Sequence, residues 1–378
     1  MSVRRIGVTA LLLLGTLLWT AFGLGLWAKR QALETDNWVE TSDQLLQNTK
    51  IRTALGVFVV DRLYDSEAVQ ARLEEALPPR LDRLASPAAA ALKEIARRNA
   101  PRVLGNAAAL NAWETANRAA HETLLDVVDN GVQGREVSLD LKALVGEVAS
   151  GTGLPANAVD KIPPGVASLT VATPQELDNV RQLLHLFKTL IWLLLGLAVA
   201  CFAGAIGLAR DRRRTVLNVG VCLMFAGIAI IAFRTLAGNY VVDSLADAPN
   251  AHAIAGEAWG IATRLMVDIA QGTLLFGFFV VVGSWLAGPG RRATAVRGFS
   301  AYALREHAAA TRVGLGAAIL LLVIWGPAPW TQRLWAIAVF TAIAYLWLER
   351  MRRRTVAEFP DQPPPRLPGL GARFTRTG

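Results

Sequence analysis

Six apolar stretches divide this chain of 378 residues, and dense arginine clusters recur at alternate boundaries between them. The stretches fall at about 6–28, 186–209, 216–233, 265–286, 313–325 and 334–348. About 20 apolar residues in helical form cross a ~30 Å hydrocarbon layer. Inside that layer every backbone N–H and C=O must bond within the protein, so a span of this kind is a helix. The expectation is a mainly α, polytopic helical membrane protein with about six transmembrane helices.

Charge orients the spans. Arg4 and Arg5 precede the first, and Arg210-Asp-Arg-Arg-Arg214 separates the second from the third. Arg291, Arg292, Arg297, Arg305 and Arg312 follow the fourth, and Arg350-Met-Arg-Arg-Arg354 follows the sixth. All of these share one side if the N-terminus is cytoplasmic, as the positive-inside rule requires. Both termini are then cytoplasmic, and the location is a bacterial cell membrane. Lys29 and Arg30 fall on the other side, where long cationic side chains snorkel toward the interface. Trp27, Trp192, Trp285, Trp325, Trp330, Trp335 and Trp347 sit near proposed span ends, the level an amphipathic indole prefers. The first stretch is longer than a signal-peptide core and lacks a cleavage site, so it reads as an uncleaved anchor. The fifth and sixth are short, which leaves a re-entrant hairpin open as an alternative.

The charge balance changes along the chain. Residues 31–184 hold 15 Lys and Arg against 21 Asp and Glu, a net of −6. The remainder holds 24 against 9, a net of +15 that is interleaved with apolar spans. Such a remainder suits loops facing anionic lipid rather than a nucleic-acid partner. The segments are 1–30, an anchor; 31–184, an extracytoplasmic domain; 185–236, a transmembrane hairpin; and 237–264, a second external segment. Then come 265–350, the last spans with a basic loop read as a lipid-anchored interfacial helix, and 351–378, a basic Pro-rich tail expected to be disordered. Cys201 and Cys222 both lie in apolar stretches, so no disulfide framework exists in the external domain. They are read as packing residues, with a redox pair as the alternative.

The external domain reads as helix-rich. Asp65-Ser66 precedes a run with Val69, Leu73 and Leu77 on one face, ended by Pro78-Pro79. Ser86-Pro87 signals a helix start, and Asn106 caps a helix ending at Asp129-Asn-Gly131. Residues 136–141 and 167–171 alternate like strands and could pair into a small β-ribbon. Thr173-Pro-Gln-Glu176 is a capping box with Pro at the first helical position. Nothing breaks the helix from there to Arg210, which predicts a continuous stalk entering the second span.

Two residue groups are candidates for function. Trp113, Asn117 and His121 are four apart on one helix face, with Arg118 beside them. They could form a ligand- or partner-reading face, or an aromatic anchor whose polar groups satisfy neighbouring backbone. His121 is the only histidine before residue 185 and no cysteine is near it in sequence, which excludes an ordinary zinc site there. Arg234, Arg264 and Asp268 lie near the outer ends of the third and fourth spans, and an ionisable residue at membrane depth is a functional hypothesis by default. Structural ion pairing is the alternative. No phosphate loop, dinucleotide fingerprint, nucleophile elbow or zinc-helix motif occurs in its required context, and no cofactor is expected.

The run Trp113-Glu-Thr-Ala-Asn117-Arg118-Ala-Ala-His121, the segment Val137 to Leu141, and Leu177, Arg181 and Trp192 carry a resemblance. Over roughly residues 30–240 the chain resembles a family of uncharacterised actinobacterial integral membrane proteins. The motifs are loose, and the last three spans are not covered. The resemblance implies an anchored helical domain outside the membrane followed by a helical bundle, and no activity. The leading functional expectation is a non-catalytic cell-envelope protein whose external domain binds a partner protein or envelope component. Its partners would be membrane lipids and another envelope protein or a second copy of the chain. A transporter or channel component using Arg234, Arg264 and Asp268 is the alternative. An enzyme acting on lipid or wall precursors is a minor one.

Overall fold

The computed structural model describes residues 3–64, 82–130, 138–140, 168–170, 174–245, 249–325 and 334–359. These residues form twelve helices and one pair of short strands. In chain order the helices are α1 (Val3–Leu33), α2 (Thr35–Gln47), α3 (Thr49–Tyr64), α4 (Asp82–Leu104), α5 (Ala107–Asn130) and α6 (Pro174–Leu208). They continue with α7 (Arg212–Leu245), α8 (Pro249–Ala262), α9 (Arg264–Leu286), α10 (Arg291–Glu306), α11 (Ala308–Trp325) and α12 (Leu334–Glu358). The strands, β1 (Ser138–Asp140) and β2 (Ser168–Thr170), pair antiparallel with Leu139 opposite Leu169.

Four helices are long and apolar enough to cross a membrane: Val3–Leu33, Gln182–Leu208 within α6, Arg212–Ser244 within α7, and Arg264–Leu286. Only 22% to 33% of their most apolar windows is buried within the protein, so most of that surface needs another apolar medium. The fifth and sixth expected segments are also helices, α11 and α12, but they do not join this set. The second half of α12 carries Glu349, Arg350, Arg352, Arg353 and Arg354.

Several starts and stops follow local chemistry. Asp211 Oδ1 accepts the N–H of Arg214 at 3.0 Å, capping α7 at the turn after Arg210. Asn48 Oδ1 accepts from the N–H groups of Lys50 at 3.0 Å and Ile51 at 3.2 Å, which starts α3 in the same way. Asn106 precedes α5, and Pro174 opens α6, which then runs 35 residues without a break. Two expectations are corrected. Residues 351–358, expected to belong to a disordered tail, are the last turns of α12. The helix signalled at Ser86-Pro87 begins earlier, at Asp82, so Pro87 sits one turn in and forgoes one backbone bond. The run at residues 65–81 and the tail beyond 359 lie outside the described residues.

The chain divides into two compact units. The first takes Met1–Gly23, Leu193–Ala232 and Met266–Gly378. Its core gathers Leu12, Phe202, Ala205, Val219 and Leu223, with Trp19 and Cys222 packed against it. Glycines let its helices approach closely. A Cβ on Gly277 would lie 2.7 Å from the Gly220 carbonyl oxygen, and one on Gly227 would lie 2.9 Å from that of Ala270. Gly220 and Gly227 are seven residues apart, as are Ala270 and Gly277, so α7 and α9 cross antiparallel along one small-residue seam. Cys201 and Cys222 are both free thiols.

In the same unit α10 is not a simple interfacial helix. Ala293 and Arg297 are buried, and α10 packs against α11 and α12. The Arg297 guanidinium forms a two-pronged pair with Glu358 at 2.9 and 3.0 Å. It also donates to the carbonyls of Leu286 and Gly288, the latter at 2.7 Å, at the C-terminus of α9 where free carbonyls collect.

The second unit takes Leu24–Trp192 and Phe233–Leu265. Here α2 packs on α5, α3 packs on α4, and α8 lies against α2 and α3. Val39 and Leu46 of α2 are buried at 2% exposure each, so this short helix is central. Arg52 donates to the carbonyls of Leu46 and Gln47 at the C-terminus of α2. Asp61 of α3 meets Arg97 at 2.5 Å and Lys93 at 3.3 Å on α4. Burial works against the Asp61 charge, but the bonds from Arg97 and Lys93 outweigh it and hold the carboxyl below its ordinary value. Lys29 and Arg30, on the less basic side of the first span, are engaged. Lys29 lies 5.2 Å from the centre of the Trp192 ring, and Arg30 reaches Glu34 at 3.7 Å.

Candidate functional site

The spacing Trp113, Asn117, His121 puts three side chains on one face of α5, and that face is docked on α2 and the end of α1. His121 is 3% exposed. Its ring stacks on Trp38, centroids 5.0 Å apart and planes 19° apart. Its Nε2 lies 3.2 Å from the Ala32 carbonyl, which can only accept, so Nε2 carries the proton. Nδ1 lies 3.1 Å from the Thr35 hydroxyl, which then donates to it. Trp38 Nε1 donates to Asn117 Oδ1 at 3.1 Å, and Trp113 Nε1 donates to the Ser42 hydroxyl at 2.8 Å. Thus α5 meets α2 through an alternating ladder of indole, amide and imidazole.

Arg118 flanks the ladder. It donates to Asp36 at 2.8 Å and lies 3.9 Å from Glu114. The Asp36 bond, and then the charges of Glu114 and Glu122, hold the guanidinium pKa above its ordinary value. Nearby, burial first and then the Glu114 charge push the Asp43 carboxyl above the usual aspartate value, while Arg118 opposes them. Asn117 Nδ2 is buried with no hydrogen-bond partner. Every other polar group named on this face has a partner in the protein, so the arrangement joins helices. The inward, ordered half of the ladder can position α2; its outer rim, Trp113 and Trp38, is 38% and 41% exposed.

In the second group, Arg234 bridges two helices. Arg234 Nε donates to the Thr263 hydroxyl at 2.8 Å, and Trp259 Nε1 donates to the Arg234 carbonyl at 3.2 Å. Thr263 is fully buried and returns a 2.6 Å bond to the Trp259 carbonyl. Arg234 therefore joins α7 to the turn that ends α8. Arg264 opens α9, and Asp268 lies four residues further along the same helix.

Several joining residues carry no sequence signal. Glu257 of α8 accepts from Asn48 and from Lys50, across more than 200 residues of chain. Those two bonds hold the Glu257 carboxyl below its ordinary value. Lys188 of α6 pairs with Asp129 of α5 at 2.7 Å. The Arg297–Glu358 pair is of the same kind, since both residues look like ordinary surface charges in sequence. Among the described residues no group of three or more His, Cys, Asp or Glu could hold a metal ion. No protein-family description, curated protein or solved structure matches the chain.

Proposed function

We propose that this chain is a non-catalytic, multi-pass protein of a bacterial cell membrane whose helical external domain, residues 31–184, docks a partner protein or envelope component. In this reading α11 and α12 complete six spans, both termini are cytoplasmic, and the paired strands belong to a ribbon extending over 136–141 and 167–171. Kinship with the uncharacterised actinobacterial membrane proteins belongs to the same proposal.

One observation carries it. On α4, Leu92, Ile95 and Val103 recur at helical spacing on one face and are 47%, 57% and 54% exposed. An apolar stripe of this kind on a water-facing helix is what a docking partner covers.

The test is a photo-crosslinking residue placed at Ile95 in intact cells, with Glu94 on the opposite face as control. A discrete adduct from position 95 that is absent from position 94 supports docking. Identical labelling from both positions, or none from either, removes the basis for it.

A further inference from the structure

We propose that a groove in the first unit, between α9, α12 and α11, seats an acyl chain of an anionic phospholipid whose phosphate is held by Arg213, Arg350 and Arg354. The cavity measures about 790 Å³, within the ~300–1,000 Å³ range of small-ligand pockets. One end of it is apolar, built from Phe276 and Val280 of α9, Ile319 of α11, and Ile343 of α12. Its mouth carries the three arginines.

The residues are ordered along the groove. On α12 the lining changes from apolar Ile343 to basic Arg354 over 11 residues, and on α9 Phe276, Phe279 and Val280 give way to Gly283 and Ser284. Eleven residues of helix rise ~16 Å, about half of a ~30 Å hydrocarbon layer, which is the depth of one leaflet. A Cβ on Gly283 would lie 3.2 Å from the Trp347 indole nitrogen, so the two helices align there. At the next residue, Arg213 Nη1 donates to the Ser284 carbonyl at 3.0 Å, which fixes its guanidinium at the mouth.

Charge selects the occupant. Arg350 and Arg354 are four apart on one helix, a like-charge spacing that destabilises a helix unless an anion lies between them. The carboxylates of α12 are committed elsewhere: Glu349 to Arg352 and Arg353, and Glu358 to Arg297. A phosphate at the mouth satisfies all three cations, since guanidinium groups match phosphate oxygens two by two. Basic pockets between membrane helices bind anionic headgroups in this manner.

The experiment uses the full chain in vesicles of phosphatidylcholine with either phosphatidylglycerol or more phosphatidylcholine carrying brominated acyl chains. Quenching of Trp347 is obtained as the difference between wild type and Trp347→Phe. Wild type should show at least a fivefold preference for the brominated anionic lipid. Arg350→Gln with Arg354→Gln should bring the ratio close to one. Ala344→Phe, which fills the apolar part and keeps every charge, should do the same and stands in if the arginine variant does not fold. Equal quenching by both lipids in wild type overturns the proposal. So does a preference that survives either variant. Shielding of Trp347 from both lipids in a crosslinked dimer would assign the groove to a second copy and also overturn it.

Discussion

Two solutions to the same problem stand side by side in this chain. In the first unit, helices are joined by the absence of side chains: Gly220 and Gly277 put one backbone against another, and Gly15 leaves room for the Phe202 ring. In the second unit, polar side chains cap ends and bridge neighbours, as His121, Trp113, Arg52 and Asn48 do, alongside one close approach at Gly56. The difference follows the solvent each set of helices is suited to. Among apolar helices in lipid no hydrophobic gain accompanies contact between helices, so close packing of small residues must supply it. In water the burial of Val39 and Leu46 supplies the drive, and polar ladders set register. Arg297 and Arg213 are exceptions that sharpen the contrast: polar clamps within the small-residue unit, both on carbonyls toward the C-terminal end of α9.

The largest effect should come from Gly277→Leu. Its first side-chain carbon would meet the Gly220 carbonyl and Met224 within 3 Å, and backbone cannot yield as a side chain can. The cost should reach the upper end of the ~1–3 kcal/mol of overpacking, or more. It should read as loss of monodisperse protein in detergent and a lowered melting temperature. A variant that melts like wild type would break the small-residue account.

Glu358→Ala comes next. It leaves Arg297 8% exposed without its carboxylate, while two carbonyl bonds remain. Breaking a fully buried pair costs ~3–5 kcal/mol, and because Glu358 is 41% exposed the expectation here is about 1–2 kcal/mol. Arg297→Met paired with Glu358→Leu should recover part of it, measured as a double-mutant cycle on thermal melts.

His121→Phe keeps the ring against Trp38 but removes both hydrogen bonds and strands the Ala32 carbonyl. About 1 kcal/mol is expected, the scale of one buried bond left unmade. Hydrogen exchange should rise in α2 while α7 and α9 stay protected. Uniform loosening of both units would contradict the division of labour.

The smallest effect is pH-dependent. Glu257 is held below the ordinary glutamate value, so its contribution is complete above that value and is lost as pH falls through its lowered one. The stability difference between wild type and Glu257→Gln should therefore shrink on acidification below the ordinary glutamate range. A difference that stays constant there would show that the Lys50 contact is not electrostatic.

Much of the fold is legible locally. Hydropathy marks α1, α6, α7 and α9, because crossing lipid demands an apolar run that no neighbour can supply. Asn106 and Pro174 stand where helix-start chemistry places them. The four-residue spacing also places Trp113, Asn117 and His121 on one face. The Ser86-Pro87 signal misleads, since α4 begins about one turn earlier, at Asp82.

What the amino-acid sequence determined by itself is the set of four long apolar helices, several helix starts, and where the charges gather. Only the tertiary structure decided that His121 meets Trp38, that Gly220 faces Gly277, that Glu257 reaches Lys50, and that Arg297 is a clamp rather than a loop charge. The physical reason is range. Periodicity, capping and hydropathy act within one or two helical turns, whereas each of these contacts closes a loop of tens to hundreds of residues that no local pattern records.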